Sequence, residues 1–94
     1  MTLVIVPDAI QDLEEIYDYI ERDRPQAAEH VLNRLVTTCQ RLADGELNGP
    51  AVQLIDGRRA QKWSVPPYRI YYRRTANQTL ILRFYHQARR PIER

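Results

Sequence analysis

The chain is short of cysteine, of lysine and, through its second half, of carboxylates. Its one cysteine, Cys39, cannot close a disulfide within the chain, so nothing ties the sequence to an oxidising compartment. No apolar run approaches the roughly 20 residues of a membrane helix. The opening run Leu3-Val4-Ile5-Val6 is too short for the apolar core of a secretory signal. Cytoplasmic residence with no membrane partner is the expectation. Lys62 is the only lysine, and no Glu occurs among residues 57–92. His30 stands beside Glu29 with no further His, Cys or Asp at ligand spacing, so neither a metal nor a cofactor is expected.

What remains is strongly polarised. The 94 residues are read as one domain, 1–94, and carry a formal charge of +2. Residues 1–50 hold four Lys/Arg and ten Asp/Glu, a net of −6, whereas residues 51–94 hold ten and two, a net of +8. Such a division predicts a basic working face and an acidic back.

The patterning predicts an α+β fold: an N-terminal strand, an antiparallel helical hairpin, then a three-strand antiparallel meander forming one sheet. Leu3–Val6 is a β-branched run ended by Pro7. Asp8 is the expected N-cap, with Gln11 three residues on. Ala9, Leu13, Ile16, Tyr17 and Ile20 then share one helical face. Asp12, Glu15 and Asp18 form an acidic face read as solvated. Pro25 starts a second helix, whose apolar face is Ala28, Val31, Leu32, Leu35, Val36, Cys39 and Leu42, with Gly45 just beyond its end. Cys39 on that face is a buried hydrophobe rather than a nucleophile. Residues 46–57 read as a loop with a short extended piece at Val52–Ile55. Strands follow at Arg58–Val65, Tyr68–Arg73 and Leu80–His86, turned by Pro66-Pro67 and by Thr75–Gln78. The tail from Gln87 to Arg94 reads as irregular or held by a partner.

Alternation along a strand sorts the meander into two faces. Trp63, Val65, Ile70, Tyr72, Leu82 and Phe84 form the expected helix-covered face, and His86 shares their side of the last strand. Lys62, Arg69, Tyr71, Arg73, Arg83 and Tyr85 form the expected open face, joined by Arg58 and by Arg89 and Arg90 of the tail. Cations with aromatic rings between them suit phosphate contacts and base stacking, and suit an acidic protein surface equally.

The order strand–helix–helix–three strands accompanies a specific set of residues. They are Gly57-Arg58, Tyr68-Arg69-Ile70-x-Tyr72-Arg73, Ile81-Leu82-Arg83-Phe84-Tyr85-His86 and the ending His86-x-x-Arg89-Arg90-Pro91. With Pro7-x-Ala9-x-x-Asp12-Leu13-x-x-Ile16-x-x-Tyr19-Ile20 at the start, the chain resembles the RelE/ParE toxins of type II toxin–antitoxin modules over nearly its whole length. The resemblance implies a toxin held inactive in a hetero-oligomer with a cognate antitoxin, of small acidic or ribbon–helix–helix type. It implies one of two targets. RelE-like toxins are metal-independent endoribonucleases that cut mRNA on the ribosome; the matching positions here would be Lys62, Arg69, Arg83, Tyr85 and His86. ParE-like toxins inhibit DNA gyrase and need a binding surface instead. The absent carboxylate base and lysine cluster, with the Leu13/Ile16 pattern and the His-x-x-Arg ending, favour the ParE-like branch. A plain nucleic-acid-binding module is the remaining alternative.

Overall fold

A computed structural model describes residues 2–94. Its elements are β1 (Thr2–Ile5), α1 (Pro7–Glu21), α2 (Pro25–Ala43), β2 (Ala51–Gln53), β3 (Arg59–Val65), β4 (Tyr68–Arg74) and β5 (Gln78–His86). The five strands form one sheet in the order β1-β5-β4-β3-β2. β1 runs parallel to β5, pairing Thr2 with Gln78 and Ile5 with Ile81, and the other neighbours are antiparallel. The expected meander is therefore its central part, extended by β1 on one side and by the three-residue β2 on the other.

The helices start on proline rather than on a side-chain cap. Val6 is the N-cap residue of α1 and makes no side-chain cap bond; Pro7 occupies the first turn and Asp8 follows within it. The expected Asp8 cap is corrected accordingly. Pro7 has no N–H needing a partner, which suits the first helical turn. The end of α2 follows the expectation. Gly45 sits at φ +80, its N–H bonds to the Leu42 carbonyl at 3.2 Å, and the Glu46 N–H bonds to the Arg41 carbonyl at 3.1 Å. That is a Schellman closure, which satisfies carbonyls the helix leaves unpaired.

Ala9, Leu35, Cys39 and Leu42 of the helices pack on Val65, Tyr68, Ile70, Tyr72, Ile81 and Phe84 of the sheet. Trp63 packs partly buried against this core. Leu82 does not take its expected side, and Ile81 takes it instead. Tyr71 pairs with Arg83 but Tyr72 pairs with Ile81, so Leu82 is an extra residue on β5. This bulge turns Ile81 into the main core and Leu82 to the opposite face.

That opposite face is not open at its centre. Leu54, Ala60, Tyr71 and Leu82 are buried in a second cluster, edged by Val52, Leu80, Tyr85 and Ile92. Full burial of a leucine side chain contributes about 1.5–3 kcal/mol, so covering Leu54 and Leu82 is a sizeable gain for a small domain. The cover is the chain's own tail. Leu54 makes a β-bridge with Glu93, the Ile55 N–H bonds to the Ile92 carbonyl at 2.7 Å, and the Arg94 N–H to the Gln53 carbonyl at 2.9 Å. The tail is thus held by the sheet's own edge.

Candidate functional site

The basic face is set by β3 and β4. Lys62 and Tyr71 are direct cross-strand partners, and Arg69 lies two residues before Tyr71 on the same side. On that side the tail brings Glu93 between them. The Tyr71 hydroxyl donates to Glu93 Oε1 at 2.7 Å, and Lys62 Nζ donates to Oε1 and Oε2 at 3.2 and 3.1 Å. Arg69 Nη1 stands 3.8 Å from Oε1. Burial alone would push the Glu93 carboxyl up, but Tyr71, Lys62 and Arg69 together outweigh it and hold the group below its usual range. Burial, and then the bond to Glu93, raise the Tyr71 phenol, keeping it a neutral donor. Tyr71 was expected on an open face; it is fully buried beneath the tail.

Arg83 departs further from expectation. Its Nε and Nη2 donate to the two oxygens of Asp12 at 2.7 and 2.9 Å, and the Phe84 N–H donates to Asp12 Oδ2 at 3.0 Å. Asp12 is only 6 % exposed, so it is no part of a solvated acidic face. The reason is the edge of β5: β1 pairs no further than Ile81, and α1 supplies Asp12 to the next strand amide. The bond to Asp12 raises the Arg83 pKa.

The other named residues lie around this pair of junctions. Tyr85 donates its hydroxyl to the Arg90 carbonyl, with the Arg83 and Arg89 guanidinium carbons 5.9 and 5.6 Å from its ring centroid. Arg73, Arg89 and Arg90 are exposed. Arg58 is exposed and outside β3; it bonds Asp56 through Nε at 2.7 Å, and the Arg58 backbone bond leads the causes that lower the Asp56 pKa. His86 is opposite Tyr68 and faces the helix-covered side, as parity predicts. Its Nδ1 accepts from the Ala88 N–H at 3.0 Å, and its ring meets Tyr68 edge-on at 5.3 Å.

The five candidate nuclease positions are therefore not gathered into one set. Lys62 and Arg69 share Glu93, Arg83 is taken by Asp12, Tyr85 holds the tail, and His86 lines a groove on the other side. Glu93 is a carboxylate beside these cations, one residue past the stretch 57–92 that holds no Glu. A carboxylate held below its usual range by its neighbours is a poor base near neutral pH. The signal for Glu93 in the sequence was its isolation as one of two acids in the basic half. Cys39 is buried, and burial pushes its thiol up to about 12, in keeping with a packing role. Among the described residues no cluster of three or more His, Cys, Asp or Glu is placed to hold a metal ion, and no helix is long and apolar enough to cross a membrane.

The groove beside His86 has a volume of about 620 Å³. Ile16, Tyr19, Ile20 and Val31 of the hairpin form one wall and Tyr68 and Phe84 the other, with Glu15, Arg24 and Arg89 at the rim. Tyr19 is 75 % exposed, a large ring left uncovered.

A search of curated proteins found no match to this sequence. Among solved structures, one described as the chromosomal ParDE TA system from P. aeruginosa superposes with a TM-score of 0.76 at 20 % identity, covering 92 % of this chain and 95 % of that one. At that identity the likeness establishes the fold. The family model described as ParE toxin of type II toxin–antitoxin system, parDE, matches residues 3–91. The match runs from β1 through both helices and the meander into the tail, and on it the chain belongs to the ParE toxin family of type II toxin–antitoxin systems.

Proposed function

We propose that this ParE-family toxin acts by binding its target rather than by cutting RNA, and that the target is DNA gyrase. The observation that carries the reading is the dispersal of the nuclease positions: His86 faces the groove, while Arg83 is committed to Asp12 and Lys62 and Arg69 to Glu93. Metal-free RNA cleavage needs a base, an acid and cations around a single phosphate. A binding surface needs only shape and charge, which the exposed Arg58, Arg73, Arg89 and Arg90 and the part-exposed ring of Tyr85 supply.

A cognate antitoxin is the partner that neutralises the toxin. The groove between the hairpin and the Tyr68/Phe84 wall fits an amphipathic segment, with apolar side chains on Ile16, Ile20 and Val31 and acids toward Arg24 and Arg89. An acidic or ribbon–helix–helix antitoxin meets that requirement.

The test runs two assays on the purified chain. Inhibition of gyrase supercoiling without ribosome-dependent mRNA cuts is the expected result. Cuts that disappear in Arg69→Ala, with the fold retained by circular dichroism, would overturn it in favour of the RelE-like reading.

A further inference from the structure

Lys62, Arg69 and Tyr71 lie on adjacent strands of the sheet, so their positions do not depend on the tail. Glu93 does depend on it. Besides the Glu93 side chain, the tail is held by Ile92 at the edge of the second cluster, by backbone bonds to residues 53–55, by the Arg94 guanidinium on the Ile55 carbonyl at 3.2 and 3.3 Å, and by the Tyr85 hydroxyl. The segment it docks on is itself exposed at Ile55, Asp56 and Gly57. The donors are therefore set by the sheet, and the acceptor by a segment docked at its edge.

The charges also leave a remainder. Lys62 and Arg69 bring two positive charges to the single negative charge of Glu93, and each of the three side chains is largely withdrawn from water, at 30, 30 and 18 % exposure. If Glu93 left, two cations and the Tyr71 phenol would face the gap without that acceptor. A phosphate group with its second charge matches this set better than a carboxylate, because it carries close to two negative charges and three acceptor oxygens.

We propose that Lys62, Arg69 and Tyr71 form a phosphate site, occupied in the free protein by the chain's own Glu93, and that the tail is a strap displaced when a phosphate monoester binds. The site goes beyond the choice of gyrase as target, and displacing the tail leaves untouched the separation of Arg83 and His86 on which that reading also rests. The phosphate could belong to a small molecule or to a nucleic-acid end, and the experiment separates them.

The test is a titration of the full chain at constant ionic strength, followed by the amide signals of Lys62, Arg69 and Tyr71. Inorganic phosphate is one probe; a 5′-phosphorylated dinucleotide and its unphosphorylated form are the others. Glu93→Gln keeps the tail's shape and removes the competing charge, so its affinity for inorganic phosphate should rise on the order of tenfold over wild type, as for any site freed from a competing closed state. Lys62→Met in the Glu93→Gln background should lose that binding. In the wild type, phosphate should speed hydrogen exchange at the Ile55 and Arg94 amides, which the docked tail protects. A 5′-phosphorylated dinucleotide binding more tightly than inorganic phosphate would assign the site to a nucleic-acid end, and equal binding to a small phosphate. Equal phosphate affinity in wild type and Glu93→Gln would overturn the proposal. So would binding that survives Lys62→Met, or exchange at Ile55 and Arg94 unaltered by saturating phosphate.

Discussion

Two carboxylates cross from elsewhere in the chain to meet the basic meander, and they do so in different ways. Asp12 comes from the first turns of a helix packed on the core, takes both arms of Arg83, and also accepts the Phe84 backbone N–H. Glu93 comes from a tail held at its edges, and takes one bond from the Tyr71 phenol and two from the Lys62 ammonium, with Arg69 farther off at 3.8 Å. The first joins the hairpin to the free stretch of β5. The second covers a face. The same pairing of charges makes a fixed joint where the acid sits on a packed helix and satisfies main chain as well, and a removable cover where it does neither.

Removing the first joint should have the largest effect. Asp12→Ala leaves the Arg83 guanidinium and the Phe84 N–H without their acceptor, and a cost of about 3 kcal/mol is expected, at the low end for a broken buried pair because Arg83 is partly exposed. In a domain this small each kcal/mol lowers the thermal midpoint by about 4–8 °C, so calorimetry or melting by circular dichroism reads it directly. Arg83→Met should cost less, about 1–2 kcal/mol, because Asp12 keeps its bond to the strand amide and water reaches part of the vacated space. Equal losses in the two variants would mean that the main-chain bond contributes nothing.

The second junction should be nearly silent in the same experiment. Glu93→Gln is expected to change global stability by less than about 1 kcal/mol. A loss as large as that of Asp12→Ala would erase the distinction between joint and cover.

The smallest effect is in the pH profile of the tail. Glu93 has its folded pKa below its unfolded value, so its contribution is fully present above the ordinary carboxylate range and is lost as pH falls through the folded value. Lys62 of β3 and Arg69 and Tyr71 of β4 are the groups that face it. Amide exchange at Ile55 and Arg94 should therefore be flat, after correction for the intrinsic rate, from neutral pH down to the ordinary carboxylate range, and rise only below that range. In Glu93→Gln that rise should vanish.

These junctions also mark the limit of what the sequence discloses. Helix spans, the Gly45 stop, the Pro66-Pro67 turn and the side of the sheet taken by His86 all follow from local chemistry and strand alternation. Leu82 and Ile81 do not, because a bulge inserts one residue and reverses alternation beyond it, and nothing in Ile81-Leu82-Arg83 announces the position. Asp12 reads as one more acid on a helix face until the edge of β5 is known to lie against it. Glu93 is legible as a solitary acid in a basic half, but its partners lie on two strands far back in the chain, and only the bridge to Leu54 fixes which cations it meets. Local signals thus yield the elements and the family, whereas the acids that organise the basic face are set by contacts distant in sequence.

The parallel pairing of β1 with β5 bears on how the protein comes into being. The first strand made finds its partner in Gln78–Ile81, and the stretch from Leu82 that receives Asp12 and lies beside the core emerges later still. Contacts so far apart in sequence form late and slow the search for the native state. While β5 is still within the ribosome, β1 has no neighbour, the hairpin has little of the sheet to pack against, and Lys62, Arg69 and Tyr71 have no tail above them. The order of synthesis therefore delays closure of the sheet until translation has passed residue 86, and the covering of Lys62, Arg69 and Tyr71 until the tail follows.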